Sequence, residues 1–326
     1  MSNEQPDEQP IVHDVPSPAR EKWLINTLYA LRGHFNKNRP ALPEDMQRAK
    51  SASESIVVHC MDRLLDEKDE QRIPRGRAFD VDLIGGAAPP ERLHLNPRLK
   101  AELSAVYGAL TKAHTPYPKN IVILGHEGCL ADKALHAGIL DRASEHDDSV
   151  LQWMLPMASE ELKKAIIAAK ERNADDTQVQ NILEKAVVLQ SMENMHNEWF
   201  THKKQVHHVG NLINDGVFNI IGAIRGDTPD KDGRFPLSVY DPEAKQFRPI
   251  EELYREAFPG AQYFLFSKIE ARKAALDKGN TVPTATVQEP VVVSQGAVTR
   301  TVHTFNIPEI REGLRVAIKA MHGAHL

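Results

Sequence analysis

Large apolar side chains first recur at helical spacing shortly after the N-terminus, and prolines at positions 40 and 43 end the pattern. The residues concerned are Trp23, Leu24, Leu28, Leu31 and Phe35. Their spacing predicts an amphipathic helix that lies against the body of the protein or against a partner subunit. Residues 1–18, by contrast, contain four prolines and few large apolar side chains, so we expect a disordered tail there.

Three short apolar runs then predict strands of a parallel sheet. Ile56–Val58 leads to His59 and Cys60, Phe79–Ile84 precedes Gly85-Gly86, and Ile121–Leu124 ends at Gly125-His126. Runs that are β-branched and nearly continuous are typical of strands buried on both faces. A helix with Asn96 as its N-cap falls between the second and third runs. This order predicts an α/β fold with a mostly parallel central sheet flanked by helices.

The remaining elements are predicted from weaker patterns. Residues 147–206 favour helices, with a capping box at Thr177–Gln180. Residues 271–285 are polar and predict a linker or loop. Further strands are expected at Val217–Ile224, Pro236–Tyr240, Gln262–Phe266, 291–293 and 299–304, and a closing helix at Ile310–Met321.

Composition narrows the class of protein. The 326 residues are 41% hydrophobic and 26% charged, which is typical of a globular protein. A net charge of −5 argues against a nucleic-acid binder, which usually carries a basic excess. No apolar run approaches roughly 18 residues and no early stretch resembles a signal peptide, so we expect a cytoplasmic protein. Two cysteines exclude a disulfide scaffold and a four-cysteine zinc module.

Both cysteines follow predicted strands, and this placement indicates a metal site. Cys60 ends the first run, and Cys129 closes the segment His126-Glu127-Gly128-Cys129 after the third. The carboxyl ends of strands in an open α/β sheet surround the crevice where ligands bind. Two thiolates and one imidazole suit Zn2+, and three protein ligands leave one position vacant, as in catalytic zinc sites. We therefore expect Cys60, His126 and Cys129 to bind one Zn2+.

Two other interpretations of the cysteines stay open from the residues alone. An isolated intracellular cysteine is most often a small buried hydrophobic residue. A metal-free protein with redox-active cysteines is the other interpretation, and it is the weaker one because the sequence contains no Cys-x-x-Cys motif.

These residues resemble the motifs of the β-class carbonic anhydrases. In that family Cys-x-Asp-x-Arg is followed further along by His-x-x-Cys, and Cys60-Met61-Asp62 and His126–Cys129 match in order. The Gly85-Gly86 turn and the segment Val239-Tyr240-Asp241 add to the resemblance, which covers roughly residues 25–250. The resemblance implies a zinc domain at 19–270 with a helical insertion at 147–200. A C-terminal extension of unknown role follows at 271–326.

The resemblance also implies a zinc lyase that hydrates CO2 to bicarbonate, or acts on a related linear substrate such as COS or CS2, by a metal-bound hydroxide. It further implies association into homodimers or larger even assemblies. In the family, the aspartate that matches Asp62 pairs with an arginine two residues later and thereby frees the zinc for water. Leu64 stands at that position, so the candidates for the partner are Arg63, Arg75 and Arg77.

The displaced arginine has two consequences. An Asp62 without an arginine partner is expected to bind the zinc as a fourth ligand and close the resting site, because the cation stabilises the carboxylate. The displacement and the insertion also favour an alternative function. In that alternative the protein keeps the fold and the zinc but serves a regulatory, binding or scaffold role without hydratase activity.

Overall fold

A six-stranded sheet lies at the centre of the chain. The computed structural model describes residues 16–31, 55–60, 78–88, 119–140, 148–202, 204–214, 218–231, 235–261, 265–279 and 307–323. In chain order the strands are β1 (Ser55–Cys60), β2 (Ala78–Leu83), β3 (Lys119–His126), β4 (Trp199–His202), β5 (Gln205–His208), β6 (Phe218–Arg225), β7 (Leu237–Asp241) and β8 (Gln246–Pro249). The sheet has the order β2-β1-β3-β6-β7-β8, and β4 and β5 form a separate antiparallel pair.

The first four strands in this order run parallel, and β7 and β8 extend one edge antiparallel. The predicted α/β fold is therefore confirmed, with the parallel part confined to these four strands. Ile56, Val58, Ile121 and Ile123 are fully buried, as expected for a parallel sheet that is covered on both faces.

Helices cover this sheet. In chain order they are α1 (Pro18–Ala30), α2 (Leu130–Ile139), α3 (Asp148–Met154), α4 (Glu160–Glu171), α5 (Asp176–His196), α6 (Val209–Asn214), α7 (Ile250–Ala257), α8 (Phe266–Gly279) and α9 (Ile307–Gly323). The predicted helical content of residues 147–200 is thus found in α3, α4 and α5. That this segment is an insertion stays a prediction. None of the described helices is long and apolar enough to cross a membrane.

The prediction of helix up to residue 206 is wrong at its end. After α5 the chain turns into the β4–β5 hairpin, where Trp199 pairs with His208 and Thr201 with Val206. Aromatic and β-branched residues favour a strand, and Lys204 takes a left-handed φ of 68° in the connecting turn. The predicted capping box is also misplaced. Asp175 caps α5, and its side chain accepts a hydrogen bond from the Gln178 N–H at 2.8 Å.

Two further predictions near residue 270 are wrong. Phe266 begins α8 instead of ending the strand predicted at Gln262–Phe266, of which residues 262–264 lie outside the described residues. The helix then continues to Gly279, through the first part of the predicted 271–285 linker. The expected boundary between a domain at 19–270 and an extension at 271–326 therefore falls inside a helix. The closing helix is confirmed as α9, which packs against α4 and α5. The predicted helix that begins near Asn96 and the strands at 291–293 and 299–304 lie outside the described residues.

The N-terminal helix packs against its own chain. Trp23, Leu24 and Leu28 of α1 are buried, and the helix contacts α7 and α8. Arg20 anchors it, because its guanidinium donates two hydrogen bonds of 2.6 and 2.7 Å to the fully buried carboxylate of Asp241. Of the predicted tail at 1–18, residues 1–15 lie outside the described residues, whereas Ser17 already caps α1.

Helix α5 lies across β3 and β6 at close range because two glycines leave room for it. A Cβ atom on Gly125 would lie 2.7 Å from Val188 Cγ2, and one on Gly222 would lie 2.4 Å from Met192 Sδ. Carbon atoms in contact prefer a separation of about 3.5–4.0 Å, so a larger residue at Gly125 would collide with the helix. This packing fixes the position of α5 relative to the carboxyl end of β3.

Candidate metal centre

The candidate ligands come together because neighbouring parallel strands end at the same edge of the sheet. Cys60 is the last residue of β1 and His126 is the last residue of β3, and these two strands pair directly. Cys129 follows His126 after a tight turn and is the N-cap residue of α2. The predicted strand-end placement of all three residues is therefore confirmed.

The distances suit a single tetrahedral ion. One ligand atom from each of Cys60, His126 and Cys129 lies within 4.8 Å of the other two, and all three residues are buried. The two sulfur atoms are 3.7 Å apart. Tetrahedral zinc with Zn–S bonds of about 2.3 Å requires a sulfur–sulfur separation of about 3.8 Å. The same separation is far longer than a disulfide bond, and both cysteines are free thiols.

The imidazole of His126 has the orientation of a metal ligand. Its Nδ1 lies 3.0 Å from the carbonyl oxygen of Glu127, so this nitrogen is assigned as the donor. Its Nε2 is buried and has no hydrogen-bond partner among the described residues. Histidines that bind metals typically donate a hydrogen bond from one ring nitrogen, which fixes the ring and leaves the other nitrogen free for the metal. A cation at this position would satisfy the buried Nε2.

The electrostatic surroundings disfavour free thiolates in the absence of a cation. The hydrogen bond with Cys60 and burial raise the pKa of the Cys129 thiol far above its ordinary range. A divalent cation reverses this preference because it stabilises the thiolate directly. Binding of a metal ion is therefore expected to release protons from the site.

The Gly85-Gly86 turn packs against the same edge of the sheet. Gly86 has a φ of 63°, and a Cβ atom there would lie 3.0–3.1 Å from the backbone atoms Leu124 O and Cys60 N. Both the left-handed backbone and the close approach require glycine. The turn thus supports the ends of β1 and β3, which carry two of the candidate ligands.

Two carboxylates near the site were not predicted from the sequence. Asp132, in the first turn of α2, is buried, and burial together with Glu184 raises its pKa well above the ordinary value. Glu184 of α5 is 2% exposed and accepts a hydrogen bond from the Gly128 N–H at 3.0 Å. The sequence offers no signal for Glu184, because it is one of several charged residues of a long helix and lies far from the motifs. Asp132 lies three residues after Cys129, and this proximity was the only available signal.

Further charged residues surround the site or follow it in the sequence. Glu127 is exposed to solvent. Arg225 is the last residue of β6 and pairs in register with His126. Its guanidinium lies 4.5 Å from the ring centre of Phe235. Asp62 and Arg63, the predicted catalytic pair, lie outside the described residues, as do Leu64, Arg75 and Arg77.

Comparison with known proteins gives a family match. A family model described as carbonic anhydrase matches residues 55–220, just over half of the chain. The match begins at β1 and ends within β6, so it includes all three candidate ligands. No curated protein sequence matches the chain.

Several solved structures are similar to the chain at low sequence identity. The β-carbonic anhydrase CcaA is 14% identical over 63% of this chain and 82% of its own, with a TM-score of 0.44. Tetrameric β-carbonic anhydrases from the filamentous ascomycete Sordaria macrospora are 18% identical over 59% of this chain and 85% of their own, with a TM-score of 0.40. The β-carbonic anhydrase CafA of the fungal pathogen Aspergillus fumigatus is 15% identical over 69% and 83%, with a TM-score of 0.40.

Proposed function

Because the chain belongs to the β-class carbonic anhydrase family, we propose that it is a zinc enzyme that hydrates CO2 to bicarbonate. The observation that carries this proposal is the buried cluster of Cys60, His126 and Cys129, whose two sulfurs lie 3.7 Å apart. Two thiolates and one imidazole match the donor preference of Zn2+ and leave one coordination position for water or substrate. When bound there, zinc lowers the pKa of water and stabilises developing negative charge.

The protein's own contribution is to hold the ligands in place and to exclude bulk water from them. Glu127 O fixes the His126 ring through Nδ1, which leaves the buried Nε2 as the nitrogen that would bind the metal. The three ligand residues are buried, and a site with little water strengthens every charge interaction inside it. Asp62 is proposed to accept a hydrogen bond from the attacking nucleophile when an arginine holds it away from the zinc. Arg63 is the candidate for that arginine.

Stopped-flow CO2 hydration by the zinc-loaded protein tests this proposal. We expect hydration well above the buffer rate for the native protein and background hydration for His126→Asn, because one of the three ligands is lost. The matched control is His208→Asn, which changes a histidine on the β4–β5 hairpin outside the main sheet. His208→Asn should keep the native rate. Equal rates for the native protein and His126→Asn would overturn the proposed activity.

A second candidate function follows from Leu64, which stands where the family has the arginine partner of Asp62. The protein would then bind zinc without hydrating CO2 and serve a regulatory, binding or scaffold role. Zinc bound at one per chain, together with background rates on CO2, COS and CS2, would support this function. Hydrolysis of COS or CS2 without CO2 hydration would instead support the same site with a related linear substrate.

Association into a homodimer or a larger even assembly is also proposed, as the resemblance implies. The apolar residues Trp23, Leu24 and Leu28 of α1 are buried against their own chain, so this stretch does not offer them to a partner. Sedimentation velocity of the full chain tests the proposal. A single monomeric species at micromolar concentration would contradict it.

A further inference from the structure

We propose that Glu184 on α5 is a positioning residue that holds the turn between His126 and Cys129 in the geometry needed to bind metal. The inference rests on the proposed zinc site and adds to it a contact from a different part of the chain. Glu184 is separated from the turn by more than fifty positions in sequence and accepts a partly buried hydrogen bond from it.

One carboxylate oxygen of Glu184 makes the contact with the turn. Glu184 Oε1 accepts the Gly128 N–H at 3.0 Å and the Gln180 side-chain amide at 3.1 Å. The side chain is 2% exposed, and its Oε2 is buried without a hydrogen-bond partner among the described residues. A carboxylate that accepts a backbone N–H forms a shorter and stronger hydrogen bond than a neutral acceptor does. Burial of a carboxylate is costly, so the contact must compensate for part of that cost.

The packing of α5 explains how Glu184 reaches the turn. Glu184, Val188 and Met192 are spaced four residues apart and therefore lie on one face of the helix. Val188 packs over Gly125 of β3, and Met192 packs over Gly222 of β6. These two contacts fix the helix along the strands, and the next position on the same face brings Glu184 to the end of β3, where the turn begins.

The turn at Gly128 is open to a cavity on its outer side. Gly128 has a φ of 73°, and among the described residues a Cβ atom there would meet only Asp227 Oδ2 at 3.7 Å and Lys133 Nζ at 3.9 Å. This outer side borders a cavity of about 560 Å³ that Glu127 and Glu184 also line. The neighbouring Glu127 N–H is bound to Arg225 O at 2.8 Å. The hydrogen bond to Glu184 therefore holds the N–H end of the Glu127–Gly128 peptide, whose carbonyl end is held by His126 Nδ1.

The test compares zinc affinity in three variants of the full chain by competition with a chromophoric chelator. Glu184→Met removes the acceptor at similar side-chain length, and we expect a zinc affinity about 10–100-fold weaker, the usual loss for a residue that supports a metal ligand. Glu184→Gln keeps an oxygen acceptor, so its affinity should stay within about threefold of the native value. The matched control is Glu193→Met on the same helix, because Glu193 pairs with Arg311 of α9 and should leave the affinity unchanged.

Two further measurements separate positioning from a general loss of stability. The absorption spectrum of the Co2+-substituted protein should change in Glu184→Met and be restored in Glu184→Gln, whereas Glu193→Met should give the native spectrum. Should Glu184→Met fail to fold, slow hydrogen exchange of the Gly128 amide in the native protein supports the contact, and fast exchange overturns it. Unchanged zinc affinity in folded Glu184→Met would also overturn the inference. Native protein that binds no zinc would instead overturn the proposed function.

Discussion

Replacing Gly125 with alanine tests the packing that positions α5 over the candidate metal centre. Gly125 precedes His126 in β3, and an added Cβ atom would lie 2.7 Å from Val188 Cγ2. Carbon atoms in contact prefer about 3.5–4.0 Å, so the strand and the helix must separate by about 1 Å. Val188 cannot move aside easily, because it is 2% exposed and β-branched.

Gly125→Ala is informative because the crowding beside Gly125 decides whether the substitution raises or lowers the free energy of unfolding. In a strand with free space beside it, glycine to alanine should stabilise the fold by about 0.5–1 kcal/mol, because glycine loses more conformational entropy on folding. Overpacking of a close interface costs about 1–3 kcal/mol instead. We therefore expect Gly125→Ala to lower the free energy of unfolding by about 1–3 kcal/mol. Zinc affinity should fall with it, since displacement of α5 also displaces Glu184.

Urea unfolding at a fixed, saturating zinc concentration measures this effect, and Val188→Ala provides the control. Val188→Ala removes the methyl group that the new Cβ atom would meet, so the double variant should be more stable than the sum of the two single changes predicts. The coupling energy should be about 1–3 kcal/mol. A Gly125→Ala protein as stable as the native one, or strictly additive effects in the double variant, would refute the packing argument.

Two other substitutions test the attachment of the terminal helices. Arg20→Met should cost about 3 kcal/mol of unfolding free energy, because it leaves the buried carboxylate of Asp241 with one arginine fewer. Burial opposes ionisation of Asp241, but hydrogen bonds from Arg20 and Arg248 outweigh burial and lower the pKa of Asp241. The stability that the ionised Asp241 contributes is therefore present above its unfolded pKa of about 4, and it is lost as the pH falls through the folded pKa. In Arg20→Met, the free energy of unfolding should therefore fall less steeply as the pH is lowered. An unchanged dependence on acid pH would contradict the ion pair between Arg20 and Asp241 as its source. Gly313→Ala in α9 should lower the midpoint of thermal unfolding, because its Cβ atom would lie 2.1 Å from the Tyr240 hydroxyl oxygen. If that contact is the cause, adding Tyr240→Phe should restore part of the loss.

The sequence was sufficient to predict the parallel strands and the clustering of Cys60, His126 and Cys129, because both depend on local patterns. Short β-branched runs such as Ile121–Leu124 indicate buried parallel strands, and parallel neighbours place residues at their carboxyl ends side by side. The proximity of Cys60 to His126 follows from this rule alone. The catalytic assignment of Asp62 and Arg63 rests on the family resemblance and stays a prediction.

The sequence was insufficient where tertiary contacts decide the structure. Phe266 begins a helix although its neighbours are apolar enough to favour a strand, because local runs of this length do not distinguish the two. The hairpin at Trp199–His208 interrupts a region whose composition favours helix. Glu184 could not be found in advance, since its role depends on the packing of Val188 over Gly125, a contact between residues far apart in sequence.

X-ray absorption at the zinc edge tests the central claim most directly, because it reports the atoms bound to the metal. We predict that protein loaded with one zinc per chain shows two sulfur neighbours at about 2.3 Å, with the remaining ligands nitrogen or oxygen at about 2.0 Å. This result would correspond to Cys60, Cys129 and His126 with one further ligand. A shell of nitrogen and oxygen alone would contradict the account, because the zinc would then lie away from the two cysteines.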